Sequence, residues 1–138
     1  MSTSAFLKNQ LDTVGKQLQS VFNEFPNGKW DEKATPVSFS AAETAEHLAE
    51  CYQAFLVHAE GRDYEWGTYQ IENKSPEHLV KTMFEQRAKA TAVAASSDDP
   101  KIHNFATDYI LLHDAYHVGQ IVTLRLTIGD FDPYSLYR

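Results

Sequence analysis

Apolar residues recur at three- and four-residue steps along most of this chain, and no stretch alternates apolar with polar residues between hairpin turns. That periodicity predicts helices and leaves no place for a sheet. Phe6, Leu7, Leu11, Val14, Leu18, Val21, Phe22 and Phe25 mark a first helix over about residues 4–25, weakened slightly by Gly15 and stopped by Pro26-Asn27-Gly28. Ser40 with Glu43 three residues later forms a capping box that opens a second helix, with Ala41, Ala45, Leu48, Tyr52, Phe55 and Ala59 as its inner row. Gly61 is placed to end it. Ser75-Pro76 opens a third helix, which becomes alanine-rich towards Ala95. Asp99 caps a fourth, running over about residues 100–128 to Gly129. Four amphipathic helices in 138 residues predict one domain spanning 1–138, an all-α antiparallel four-helix bundle.

Composition narrows the function classes. Lys and Arg total 12 against 19 Asp and Glu, a net charge of −7, which argues against nucleic acid and against an acidic membrane surface as partners. No segment approaches the roughly 20 apolar residues that span a bilayer. The opening MSTSAFLKNQLD lacks the basic and apolar regions of a secretory signal, so a cytoplasmic location is expected. A single cysteine excludes an internal disulfide framework.

The histidines carry the chemistry. On a helical wheel centred on His113, residues Ile102, Ala106, Tyr109, His117, Gln120, Leu124 and Ile128 fall within roughly 60°. Two histidines and a glutamine thus interrupt an apolar stripe, and an unpaired buried polar group costs about 1–3 kcal/mol. His113 and His117 stand one turn apart, the spacing at which two imidazoles share a metal, and a third ligand must then come from another helix. His103 is about three turns from His113, too far to join it. His78 stands at a helix end, where a solvated ring is expected. His47 and His58 line one edge of the second helix; His47 is the better placed and His58 the next.

The run His113-Asp114-Ala115-Tyr116-His117-Val118-Gly119-Gln120-Ile121, followed by Leu124-Arg125, resembles the signature of the DinB/YfiT-like superfamily. The resemblance extends over essentially the whole chain, and it matches His47, in a His-Leu-Ala stretch, to the third ligand. It implies an up-down-down-up bundle holding a divalent metal, often nickel or zinc, on His47, His113 and His117. Some members of that superfamily are transferases or isomerases dependent on bacillithiol, mycothiol or glutathione. A three-imidazole site leaves the ion doubly charged with positions open, where it lowers the pKa of a bound water or thiol. The expected activity is therefore that of a metal-dependent thiol transferase, isomerase or hydrolase on a small-molecule substrate, with a low-molecular-weight thiol as the further cofactor. The alternative is a non-catalytic bundle stabilised by metal, or a stress-linked protein that binds a small molecule.

Several neighbours have two readings. Gln120 orients a ligand or water, or else bonds a neighbouring helix; Cys51, one turn from His47, is a fourth ligand, a reactive thiol or a small buried residue. Tyr109 and Tyr116 flank the histidine pair, and Gly119 reads as a close-packing point. Glu43, Glu46 and Glu50 read as a solvated face, and Tyr64, Trp66 and Tyr69 as a pocket mouth or an end cover. Leu111, Ala115, Val118 and Val122 lie opposite the histidines, which makes the fourth helix apolar nearly all round. A homodimer through that helix is expected, unless Trp30 and Phe131, Tyr134, Leu136 and Tyr137 fold over it.

Overall fold

The computed structural model describes residues 2–138. Its helices are α1 (Thr3–Phe22), α2 (Ala41–Ala59), α3 (Pro76–Ser96), α4 (Pro100–Ala106) and α5 (Leu112–Ile128), with a short 3₁₀ turn at Pro133–Tyr137. A π-helical turn, Thr107–Leu111, joins α4 to α5, so the two form one long fourth helix. No strand occurs among the described residues, and none of the helices is long and apolar enough to cross a membrane.

The caps follow the sequence. Ser40 and Glu43 make both bonds of the capping box on α2. Asp99 accepts from the backbone N–H of Lys101 at the start of α4. Ser75 makes no side-chain cap bond, and Pro76 alone starts α3. Gly61, just beyond α2, takes a φ of 78°, in the left-handed region that glycine enters without a Cβ clash. α1 stops three residues before the predicted Phe25, because Asn23 is extended and Glu24 turns left-handed at φ 51°. Arg125 holds that break: its guanidinium donates to the carbonyls of Val21, Asn23 and Glu24, and it lies against the rings of Phe25 and Phe131.

Side-chain pairs define the topology. Lys74, at the entry to α3, pairs with Glu46 near the start of α2, so these two helices run parallel. Phe22, at the end of α1, meets Phe84, early in α3, so α1 is antiparallel to both. His47 faces His113 while His58 faces Phe105, so the fourth helix also opposes α2. The order is up-down-down-up, a four-helix bundle. Its core is made by Leu11, Leu18 and Val21 of α1, Leu48, Tyr52 and Phe55 of α2, Met83 of α3, and Ile110 and Ile121 of the fourth helix.

The π turn corrects the helical wheel. Ala106, Ile110, Asp114 and Val118 are all buried, at three successive steps of four residues. In an uninterrupted α-helix those twelve residues drift by about 120°. One residue inserted by the π turn takes up about 100° of that drift and keeps the row facing inward. Val118 therefore joins His117 in the core instead of lying opposite it. Ala115 is exposed, and Leu111 and Val122 are half-buried. Trp30 packs on Phe22 and Phe25 at the end of α1, and the 3₁₀ turn also packs against α1.

Candidate metal centre

His113 and His117 lie one turn apart on α5, and the antiparallel pairing of α2 brings His47 opposite them. The Nε2 atoms of His47 and His113 are 3.2 Å apart, and those of His117 and His113 are 3.0 Å apart. One ring nitrogen of each histidine lies within 4.8 Å of the other two. Nitrogens about 2.1 Å from one ion stand roughly 3.0–3.4 Å apart at angles between octahedral and tetrahedral. Both spacings to His113 fall in that range, and ring nitrogens of His47 and His117 lie within 4.8 Å of each other.

Their electrostatics fit as well. Burial, then the charge of the neighbouring His47, lowers the pKa of His113 to about 4. Burial, then His113 and His47, does the same for His117, again to about 4. His47 is lowered by burial, partly offset by Glu50. All three are held neutral, the state in which imidazole ligates. A neutral ring has one N–H and one lone pair, so Nε2 of His113 cannot satisfy both neighbours with good geometry. A shared cation resolves that convergence of lone pairs.

Phe39 shapes the approach, stacking parallel on His117 at 6.2 Å and standing edge-on to His47 at 5.2 Å. A cavity of about 320 Å³ lies here, lined by Val37, Ser38, Phe39, Tyr116 and Gln120 together with the three histidines. A second cavity, about 410 Å³, shares His47 and Phe39 with the first and extends along Glu46 and Glu50 to Tyr69 and Leu79. The glutamates are thus engaged groups of a cavity wall, not a free solvated face. Glu46 pairs with Lys74 at 2.6 Å, and Glu50 accepts from the hydroxyl of Tyr64 and the backbone N–H of Gly67. The aromatic loop contributes Tyr69 to this wall, while Trp66 is exposed.

The remaining candidates fall away from the trio. His58 stacks on Tyr109 at 5.3 Å, which also removes Tyr109 from the site. His103 contacts the carbonyl oxygen of Ser97, and His78 contacts Thr82. Cys51 is buried with its Sγ 3.7 Å from Nε2 of His47, outside the cluster of ligand atoms. Burial pushes its thiol up to about 12, helped by the charges of Glu50 and Asp114. Gly119 is exposed, and a Cβ there would meet nothing within 4 Å, so it is not a close-packing point.

One neighbour within the signature run had no role or partner legible in the sequence. Asp114, directly after His113, is fully buried and accepts from the hydroxyl of Tyr52 at 2.5 Å and from Nε of Arg87 at 2.9 Å. Arg87 also donates to the carbonyl of Leu11 at 2.7 Å. Burial raises the pKa of Asp114, against the opposing pull of Arg87 and Tyr52. This network joins α1, α2, α3 and α5 at the turn that bears His113. Gly15 leaves room for it, since a Cβ there would stand 2.6 Å from Nη1 of Arg87. A mid-helix aspartate and an arginine among alanines 27 residues away gave no spacing from which to pair them.

Comparison with curated proteins and with solved structures finds no match. A family model described as the DinB superfamily matches residues 10–121, which include His47, His113 and His117 as well as Tyr52, Arg87 and Asp114. With four helices in the expected order and most of its length matched, this chain belongs to the DinB superfamily.

Proposed function

We propose that His47, His113 and His117 hold a divalent metal, nickel or zinc, and that the protein is a metal-dependent enzyme acting on a small molecule. The observation that carries this reading is the convergence of three neutral imidazole nitrogens beside a cavity. Three nitrogen ligands are the protein complement of open, catalytic sites, whereas structural sites are closed by a fourth. Cys51, the candidate the sequence offers for that fourth place, is a buried thiol outside the cluster.

When bound, the ion would supply Lewis acidity and lower the pKa of a water or thiol beside it. The protein's own groups do the rest. The three rings stay unprotonated at neutral pH, Phe39 covers two of them, and Tyr116 and Gln120 present polar atoms along the cavity. The reaction class is thiol-dependent transfer or isomerisation, with a low-molecular-weight thiol as co-substrate, or hydrolysis. A non-catalytic metal-stabilised bundle is the second reading, favoured by the four-helix anchoring of Asp114. The test is turnover of electrophilic and ester substrates, with and without low-molecular-weight thiols, by nickel- or zinc-loaded and metal-free protein. The enzyme reading predicts turnover that requires the metal and is lost in His113→Ala. No turnover above the metal-free control, alongside a metal-dependent rise in melting temperature, would favour the structural reading.

A further inference from the structure

We propose that Gln120 is the positioning residue of the three-histidine centre: its side-chain carbonyl accepts the Nδ1–H of His117 and so fixes the tautomer that leaves Nε2 free for a cation. The proposal rests on the reading of the trio as a metal site. His117 is 3% exposed, and its Nδ1 is buried with no hydrogen-bond partner. The Oε1 of Gln120 is also buried without a partner. The two residues are one turn apart on α5 and line the same cavity. The two atoms are not bonded to each other here, but an unpaired buried donor and an unpaired buried acceptor lining one cavity are each costly, and pairing them would satisfy both.

The orientation of the amide supports the pairing. Gln120 donates from Nε2 to the hydroxyl oxygen of Tyr116 at 3.0 Å. That bond commits the NH₂ group to the cavity rim and leaves the carbonyl oxygen as the free end. Ser38, the other short polar side chain lining the cavity, is engaged with Thr35 through three bonds. With the proton held on Nδ1, the lone pair of His117 sits on Nε2, the atom facing His113.

Two measurements test this. In metal-free protein, nitrogen NMR of the imidazoles reads the tautomer of His117 directly, and it should carry its proton on Nδ1. Gln120→Leu should shift that ring to a mixture of tautomers. Competition titration with nickel alone should then show an affinity about 10–100-fold weaker for Gln120→Leu, the usual consequence of losing an outer partner of a ligating histidine. Gln120→Glu keeps an acceptor and should remain much closer to wild type. Equal nickel affinity in Gln120→Leu and wild type, or a wild-type proton on Nε2, would overturn the proposal. Should wild type bind no nickel or zinc, the metal reading itself fails, while the tautomer measurement still decides what Gln120 does. If Gln120→Leu does not fold, the wild-type tautomer and the Gln120→Glu affinity carry the test.

Discussion

Burial strips water from His113 and His117, and each ring carries a neighbour whose own charge would repel a proton, so both stay neutral down to about pH 4. In the unfolded chain the same rings titrate near 6.5. Below that value the unfolded state binds more protons than the folded one, so the stability these residues contribute is fully present above pH 6.5 and is lost as pH falls towards 4. Metal-free wild type should therefore lose melting temperature between pH 6.5 and 5, more steeply than a His113→Asn/His117→Asn double variant. Parallel profiles for the two proteins would contradict the assignment. The late histidine pair was legible as a motif, because one helical turn of spacing is visible in one dimension. The third ring was not: on the residues alone His47 only outranked His58, and the choice between them depends on the antiparallel register of α2. Asp114 and Arg87 were illegible for the same reason, since their pairing exists only across packed helices.

Helices and their caps followed from local chemistry, so α2, α3 and the start of α4 lie where Ser40, Pro76 and Asp99 put them. The end of α1 did not, because Arg125 defines it from a hundred residues away. The π turn at Thr107–Leu111 was invisible too, since a single added residue leaves the three- and four-step apolar pattern nearly intact. Its effect is to set α5, and with it both histidines, in phase with α4. Inserting an alanine after the exposed Asp108 should rotate α5 by about 100° against α4, whereas deleting Asp108 should convert the turn to α-helix and keep α5 in phase. In the insertion variant nickel binding should fall at least tenfold, or the urea midpoint should drop markedly as Asp114 and Val118 leave the core. An insertion variant with unchanged affinity and unchanged midpoint would show that the phase of α5 against α4 does not set the site.

Across the whole molecule, a groove between α1 and the fourth helix remains uncovered, lined by Phe6, Val14, Leu111, Leu112 and Ala115 with uncharged Asn9, Gln10, Thr13 and Gln17. Phe6 and Leu112 are more than half exposed, on a chain whose net charge is −7. Trp30 and the C-terminal 3₁₀ turn pack elsewhere on α1 and leave it open. This groove is the face proposed for a homodimer, shifted from the predicted one because the π turn takes Val118 inside. Light scattering after size exclusion should give twice 15.6 kDa for wild type and 15.6 kDa for Phe6→Glu/Leu112→Glu. A wild-type mass of 15.6 kDa would rule the dimer out. The metal centre itself is tested most directly by elemental analysis of untagged protein after equilibration with nickel or zinc and removal of excess ion. The structure predicts about one tightly held ion per chain in wild type and almost none in His113→Ala. Equal metal content in the two proteins would contradict it.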